Sequence, residues 1–319
     1  MSSQQKLTRK DRDIPADEEF TLAKTADGLS FNFTWIRGNR QSMEDSHLAE
    51  KLENIWLFAI FDGHGGKSVS QLLPKILPKV LKNKIIEATN ICFSTSFTIK
   101  EKLAYASKML TPEQSKQAII NAFEETDIEL FRELKQTTGK KVDGVGATAA
   151  VVLVHKNFIT TAHCGDSRIH LYSSRNSDSL YTSTDLESQK IHHCTTDHKP
   201  DGRKEKLRIE KNGGIVIVNR INGDLAVARA FGDYQYKEIG GSSRQNLVIS
   251  KPDIYTVNTL VKQSQIKGIM ICCDGVTDVM TDRDILQIYR ISRGQSCELI
   301  RKAYRKKSQD NISAGFILL

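Results

Sequence analysis

The chain has 319 residues, 39% of them hydrophobic, enough to bury one large core. Its net charge is +8, from 46 Lys and Arg against 38 Asp and Glu, and the excess gathers in local runs such as Arg301, Lys302, Arg305, Lys306 and Lys307. A solvated helix face explains such a run, no aromatics interleave the basic patches as nucleic-acid binding would favour, and no stretch approaches the roughly 20 apolar residues of a membrane span. The start Met1-Ser2-Ser3-Gln4-Gln5-Lys6 lacks the apolar core of a secretory signal, so the expected location is the cytoplasm or nucleus.

Residues 1–28 are polar with little periodicity and are expected to form a tail, with ordered structure beginning near Leu29. Alternation at Phe31, Phe33 and Trp35 predicts a first strand, a second runs into His47 and Leu48, and the apolar run 55–61 gives a third. Val69, Leu72, Leu73, Ile76, Leu77 and Val80 have helical spacing, which Pro74 and Pro78 are expected to break or kink. Residues 113–136 read as an amphipathic helix with Ile119, Ile120, Phe123, Ile128, Phe131 and Leu134 on one stripe.

Segments 147–154, 158–163 and 168–172 are expected to be strands of an antiparallel meander. Residues 173–192, rich in Ser, Thr, Asp and Asn, read as a surface insertion. A helix over 203–211, strands at 215–218, 253–259 and 267–273, helices near 282–289 and 294–306, and a strand over 312–319 complete the series. Short hairpin links and the absence of an internal repeat point to an α+β fold, a four-layer α/β/β/α sandwich with two central antiparallel sheets flanked by helices. The six cysteines (Cys92, Cys164, Cys194, Cys272, Cys273 and Cys297) contain no C-x-x-C pair and sit mostly in or beside apolar segments. They are expected to be reduced and structural rather than disulfide partners or zinc ligands.

Four segments share one pattern, an apolar strand with a carboxylate at its end: Glu44-Asp45, Asp62, Asp274 and Asp310-Asn311. Singly, an Asp after a strand begins a turn or caps a helix. Gathered at one edge, four such carboxylates would repel one another unless cations lay among them, and oxygen ligands suit Mg2+ or Mn2+ over Zn2+. In Phe61-Asp62-Gly63-His64-Gly65-Gly66 a carboxylate, a glycine carbonyl and an imidazole follow one another at the mouth of the buried run.

These segments together resemble the metal-dependent type 2C protein Ser/Thr phosphatase family. The motifs are Arg40-Gln41-Ser42-Met43-Glu44-Asp45, Phe61-Asp62-Gly63-His64-Gly65-Gly66, Gly146-Ala147-Thr148-Ala149 and Cys164-Gly165-Asp166-Ser167-Arg168. They continue through Asp197-His198-Lys199-Pro200, Gly213-Gly214, Leu225-Ala226-Val227-Ala228-Arg229-Ala230-Phe231-Gly232-Asp233, Cys273-Asp274-Gly275-Val276-Thr277-Asp278-Val279 and Asp310-Asn311. The match covers the chain from about residue 30 onward.

The resemblance implies one catalytic domain over 29–319 that hydrolyses phosphoserine and phosphothreonine proteins, by attack of a water or hydroxide bridging two Mn2+ or Mg2+ ions. By position, Asp62 would bridge the metals and the Gly63 carbonyl would bind one. Asp274 and Asp310 would complete the other shell, with Glu44 and Asp45 acting directly or through water. Asp166, Asp274 and Asp278 match a weaker third metal site, His64 the general acid, Arg40 the phosphate-gripping arginine and Asn311 a substrate-side position. Residues 201–222 correspond to a flap beside the cleft, and Thr277 stands where many members have Trp.

The expected partners are phosphoproteins, without nucleic acid or membrane, and the expected state is a monomer. An inactive phosphatase-like scaffold would be expected to lack a metal aspartate, and none is missing. A metal nuclease would share the two-ion chemistry but has no nucleic-acid track here.

Overall fold

The computed structural model describes residues 19–92, 96–138, 144–174, 190–237, 246–259 and 266–319. In chain order the elements are β1 (Phe20–Ala26), β2 (Leu29–Ile36), β3 (Ser46–Leu52), β4 (Ile55–Phe61), β5 (Gly63–His64), α1 (Ser68–Ala88), α2 (Ile99–Met109), α3 (Pro112–Thr138), β6 (Gly146–Ala147) and β7 (Ala149–His155). They continue with β8 (Phe158–Cys164), β9 (Arg168–Ser173), β10 (Lys190–Cys194), α4 (Arg203–Lys211), β11 (Val216–Ile217), β12 (Arg220–Ile221) and β13 (Phe231–Gly232). Last come β14 (Asp253–Asn258), β15 (Ile266–Cys272), α5 (Asp274–Thr277), α6 (Asp282–Ser292), α7 (Ser296–Arg305) and β16 (Ile312–Leu318). The fold is α+β and built on antiparallel sheets flanked by helices, as the patterning predicts.

The chain divides into two compact units, one of Met1–Met43, Arg168–Thr195 and Gln265–Leu319, the other of Glu44–Ser167 and Thr196–Ser264. In the first, six strands run in the order β1-β2-β16-β15-β9-β10. Ile285 and Tyr289 of α6 and Leu299, Ile300 and Ala303 of α7 share a core with Met270, Cys272, Ala314 and Phe316 of the sheet. In the second, five strands run β14-β8-β7-β4-β3, and α1, α2 and α3 share a core with β4, β7 and β8. The inner strands β4, β7, β8 and β16 are buried at every position and β15 at all but Lys267, which is why β4 and most of β7 read as continuous apolar runs.

Three expectations change. The lead-in expected over 1–28 holds β1, paired with β2 through a turn at Asp27-Gly28 where both φ values are positive. The meander expected from 147 to 172 is broken, because β8 pairs with β7 and β14 whereas β9 pairs with β15 and β10. Pro74 and Pro78 do not divide α1, which runs unbroken for 21 residues. Each proline costs about 3 kcal/mol inside a helix. Burial of Val69, Leu73, Leu77, Val80, Leu81 and Ile85 on the core offsets this, at about 1.5–3 kcal/mol per side chain. Most of the insertion expected over 173–192 lies outside the described residues.

Within the expected flap segment, α4 is tied down by charge. Arg229 meets Glu205 Oε1 through Nε at 3.1 Å and Nη2 at 2.6 Å, and Arg208 Nη2 holds Glu205 Oε2 at 2.9 Å. Burial alone would raise the Glu205 pKa, but the two guanidinium groups outweigh it and hold the carboxyl below its ordinary range. The stabilisation is therefore full above the ordinary glutamate pKa and drains away as pH falls through the lower folded value. Arg229→Met, which leaves Glu205 with Arg208 alone, is expected to cost about 2 kcal/mol in urea unfolding at neutral pH. That loss should shrink in acid.

Candidate metal centre

Strand register decides which carboxylates meet. In the unit of Glu44–Ser167 and Thr196–Ser264, Ser46 pairs with Phe61 and Ala149 with Cys164. Asp45 (just before β3), Asp62 (just after β4) and Asp166 (just after β8) therefore emerge at the same end of the sheet. Carboxylate oxygens of Asp45 and Asp62, and of Asp62 and Asp166, lie within 4.8 Å of each other. Asp45 is 8% and Asp166 3% exposed. Two full charges at that separation repel by about 3 kcal/mol at an effective dielectric near 20. A hard cation seated on Asp62 would convert this repulsion into ligation, so the donor set fits a divalent metal that prefers oxygen.

Neighbouring groups shape this edge. The Glu44 carboxylate accepts from Gly66 N at 3.1 Å, and the Glu44 carbonyl accepts from Ser70 Oγ. A Cβ on Gly63 would collide with that carbonyl, so the residue that is to offer its own carbonyl has to be glycine. Asp166 is met by the Lys199 ammonium, a cation already in place beside the carboxylate expected at the weaker third site.

His64 sits on β5, which pairs with β6. Its Nε2 lies 2.7 Å from Oδ2 of Asp233, a buried residue whose backbone is left-handed at φ 52. A Cβ on Gly146 would strike both side chains, so the pairing depends on glycine there. Burial opposes charge on His64, but the Asp233 and Asp166 carboxylates outweigh both it and the Lys237 ammonium, and the imidazole pKa is raised. Protonated imidazole is the form a general acid requires.

In the other unit, Ile312 pairs with Ile36, Cys272 with Ala314 and Cys272 with Arg168. The end of β2, the start of β16 and the end of β15 thus share an edge, and that edge carries Arg40, Asp310 and Asp274. Arg40 Nη2 donates to Asp310 Oδ2 at 2.6 Å. Asp278 N donates to the Asp274 carbonyl at 2.8 Å, so the two aspartates sit one helical turn apart, Asp274 opening α5 and Asp278 capping its C-terminal end.

Asn311, expected on the substrate side, is buried and its Nδ2 donates to the carbonyls of Arg37 and Ser42 at 2.8 and 2.9 Å, so it also braces the loop carrying Arg40. Asp233 and Lys199 had no role in the expected site. Both lie inside matched motifs, but their partners are distant in sequence, with 169 positions separating Asp233 from His64.

A protein-family description, Protein phosphatase 2C, matches residues 29–312. Protein phosphatase 2C 1 of Paramecium tetraurelia is 30% identical over 298 residues, covering 91% of this chain and 87% of that one. Human Protein phosphatase 1B is 30% identical over 314 residues, covering 94% of this chain and 59% of its own length. A crystal structure of serine-threonine phosphatase 2C from Toxoplasma gondii superposes with a TM-score of 0.67 at 22% identity, over 93% of this chain and 98% of that one.

Proposed function

Because the chain belongs to the protein phosphatase 2C family, and is therefore a metal-dependent protein serine/threonine phosphatase, we propose how its residues divide the work. Residues 29–319 act as one catalytic domain. Asp62 and the Gly63 carbonyl, with Glu44, Asp45, Asp274 and Asp310, would hold two divalent cations, Mn2+ or Mg2+. Asp166, Asp274 and Asp278 would hold a weaker third. When bound, the cations supply an activated water and neutralise charge on the phosphoryl oxygens. The observation that carries this reading is the convergence of the Asp45, Asp62 and Asp166 carboxylates beside a histidine whose pKa is raised.

The chain's own groups do the rest. Arg40, with its guanidinium exposed and steadied by Asp310, presents paired N–H donors to the phosphate of a phosphoserine or phosphothreonine protein. Asn311 keeps the Arg40 loop in place. Asp233 engages His64 at Nε2 and favours its protonated form, in which Nδ1–H is the proton for the departing serine or threonine oxygen. Asp233→Asn is expected to lower kcat by about 10- to 100-fold with little change in KM, as read in steady-state assays on a phosphothreonine peptide. Unchanged kcat would remove Asp233 from the mechanism.

The test of the whole reading is metal dependence. Purified protein should hydrolyse p-nitrophenyl phosphate and a phosphothreonine peptide with Mn2+ or Mg2+, lose activity in EDTA, regain it on metal addition and resist okadaic acid. Activity that survives complete metal removal would refute it. Among the described residues no helix is long and apolar enough to cross a membrane.

A further inference from the structure

A second group of ligand-type side chains lies apart from the carboxylates assigned to catalysis, within the unit that carries Arg40. His170 of β9, Cys194 of β10 and Asp282 at the start of α6 each present one ligand atom, all within 4.8 Å of one another. We propose that these three residues form a zinc-binding site. Cys194 would then depart from the purely structural role expected of the cysteines.

Strand register builds the site. Lys190 and Ile191 pair with Ser173 and Tyr172, but the register of β10 shifts between Ile191 and His193. Beyond the shift Cys194, rather than His193, stands directly opposite His170. Residues opposite each other in an antiparallel pair project from the same face, so the irregularity aims a thiol and an imidazole at one point. Thr281 caps α6 through a reciprocal pair of bonds with Asp284, which fixes where the helix begins and so where Asp282 stands.

The distances suit a shared cation. His170 Nε2 lies 3.1 Å from Asp282 Oδ1, and Cys194 Sγ lies 3.9 Å from Asp282 Oδ2. Zinc bonds of about 2.0–2.3 Å in a tetrahedron place neighbouring ligand atoms roughly 3.3–3.7 Å apart. Three protein ligands leave the fourth position for water.

The state of His170 is the second and independent observation. The side chain is fully buried, and despite its closeness to Asp282 its Nε2 makes no aligned hydrogen bond. Buried polar nitrogens are nearly always satisfied, and this one is aimed into the cluster. Its other nitrogen, Nδ1, is 3.2 Å from the Tyr172 hydroxyl. A proton held there towards Tyr172 leaves the Nε2 lone pair for a metal, the arrangement by which a neighbour commonly orients a ligating histidine.

A competing contact is present as well. Arg168 Nη1 donates to Asp282 Oδ1 at 3.1 Å, so Asp282 would offer Oδ2 to the ion and keep Oδ1 for Arg168. The ligand set of neutral imidazole, thiolate and carboxylate balances a 2+ ion in charge, and its mixture of nitrogen, sulfur and oxygen suits zinc rather than Mg2+ or Mn2+. On binding, Cys194 forms the sulfur–zinc bond and gives its thiol proton to solvent. No oxidation step is involved.

Full-length protein stripped of metal is titrated with Co2+ and then with Zn2+. One equivalent of Co2+ is expected to produce a thiolate-to-cobalt charge-transfer band in the near ultraviolet, which one equivalent of Zn2+ removes. Asp62→Asn should retain the band, which separates this site from the catalytic one. Cys194→Ser should lose it while keeping Mn2+-dependent phosphatase activity, and Asp282→Asn should weaken Co2+ binding by about tenfold or more. Absence of the band in the unmodified protein, or its full persistence in Cys194→Ser, would overturn the proposal. A measurement independent of variant folding is alkylation of Cys194 followed by mass spectrometry. One equivalent of Zn2+ should slow it at least about tenfold if the thiolate is a ligand, and an unchanged rate would overturn the proposal equally.

Discussion

Asp62→Asn should lower kcat on a phosphothreonine peptide by at least about a thousandfold, with the variant still folded. The substitution keeps shape and removes one negative charge from the residue that stands within 4.8 Å of both the Asp45 and Asp166 carboxylates. Two opposing effects follow. Relief of like-charge repulsion should leave thermal stability in EDTA equal to or higher than that of the parent, because the crowding costs about 3 kcal/mol per close pair. Loss of the central carboxylate should weaken metal affinity and with it the charge stabilisation that phosphoryl transfer demands. Calorimetric Mn2+ titration beside thermal melts separates the two. Normal turnover by this variant would sink the assignment of Asp62.

Asp127→Ala should destabilise the fold by about 3–5 kcal/mol in urea unfolding. Asp127 Oδ2 meets Lys237 Nζ at 2.6 Å, with the two side chains 7% and 4% exposed. Its Oδ1 accepts from Gly232 N at 2.9 Å, and its carbonyl accepts from the Tyr234 hydroxyl at 2.9 Å. Alanine would leave the Lys237 ammonium buried with the Ala230 carbonyl, 2.6 Å away, and the Tyr234 ring as its remaining partners among the described residues. The double variant Asp127→Ala/Lys237→Met should recover much of the loss, since the larger cost lies in the uncompensated charge. Gly232 precedes Asp233, so α3 supports the partner of His64 through this pair. A kcat deficit in the double variant beyond its stability change would report that support.

The parts of the molecule that could be read from sequence are those governed by local periodicity. The runs at 55–61 and 312–319 are strands buried at every position of β4 and β16, and the stripe over 113–136 falls inside α3. The expected ends of the acidic segments also hold, because a strand of fixed register must deliver its last residue to a fixed edge. What escaped was set by distant partners or by a weak local signal. β1 is exposed along most of its length, so alternation was faint there, although Asp27-Gly28 between two strands was a hairpin signal. α2 announces itself only through the Thr98 and Glu101 capping box. The prolines of α1 were overruled by burial, and β9 was drawn to β15 rather than β8. The pairing of His64 with Asp233 was invisible because nothing local to either residue requires it.

β16 lies between β2 and β15 in the six-stranded sheet, yet it is made after both of them. As the polypeptide leaves the ribosome, β1 and β2 can form only an isolated hairpin, which is marginal in water, and one edge of β2 must wait for a partner nearly the whole chain away. The same late strand is preceded directly by Asp310 and Asn311, which hold the loop of Arg40. Closure of this sheet and readiness of that arginine therefore arrive together, and a chain stalled before residue 310 carries neither.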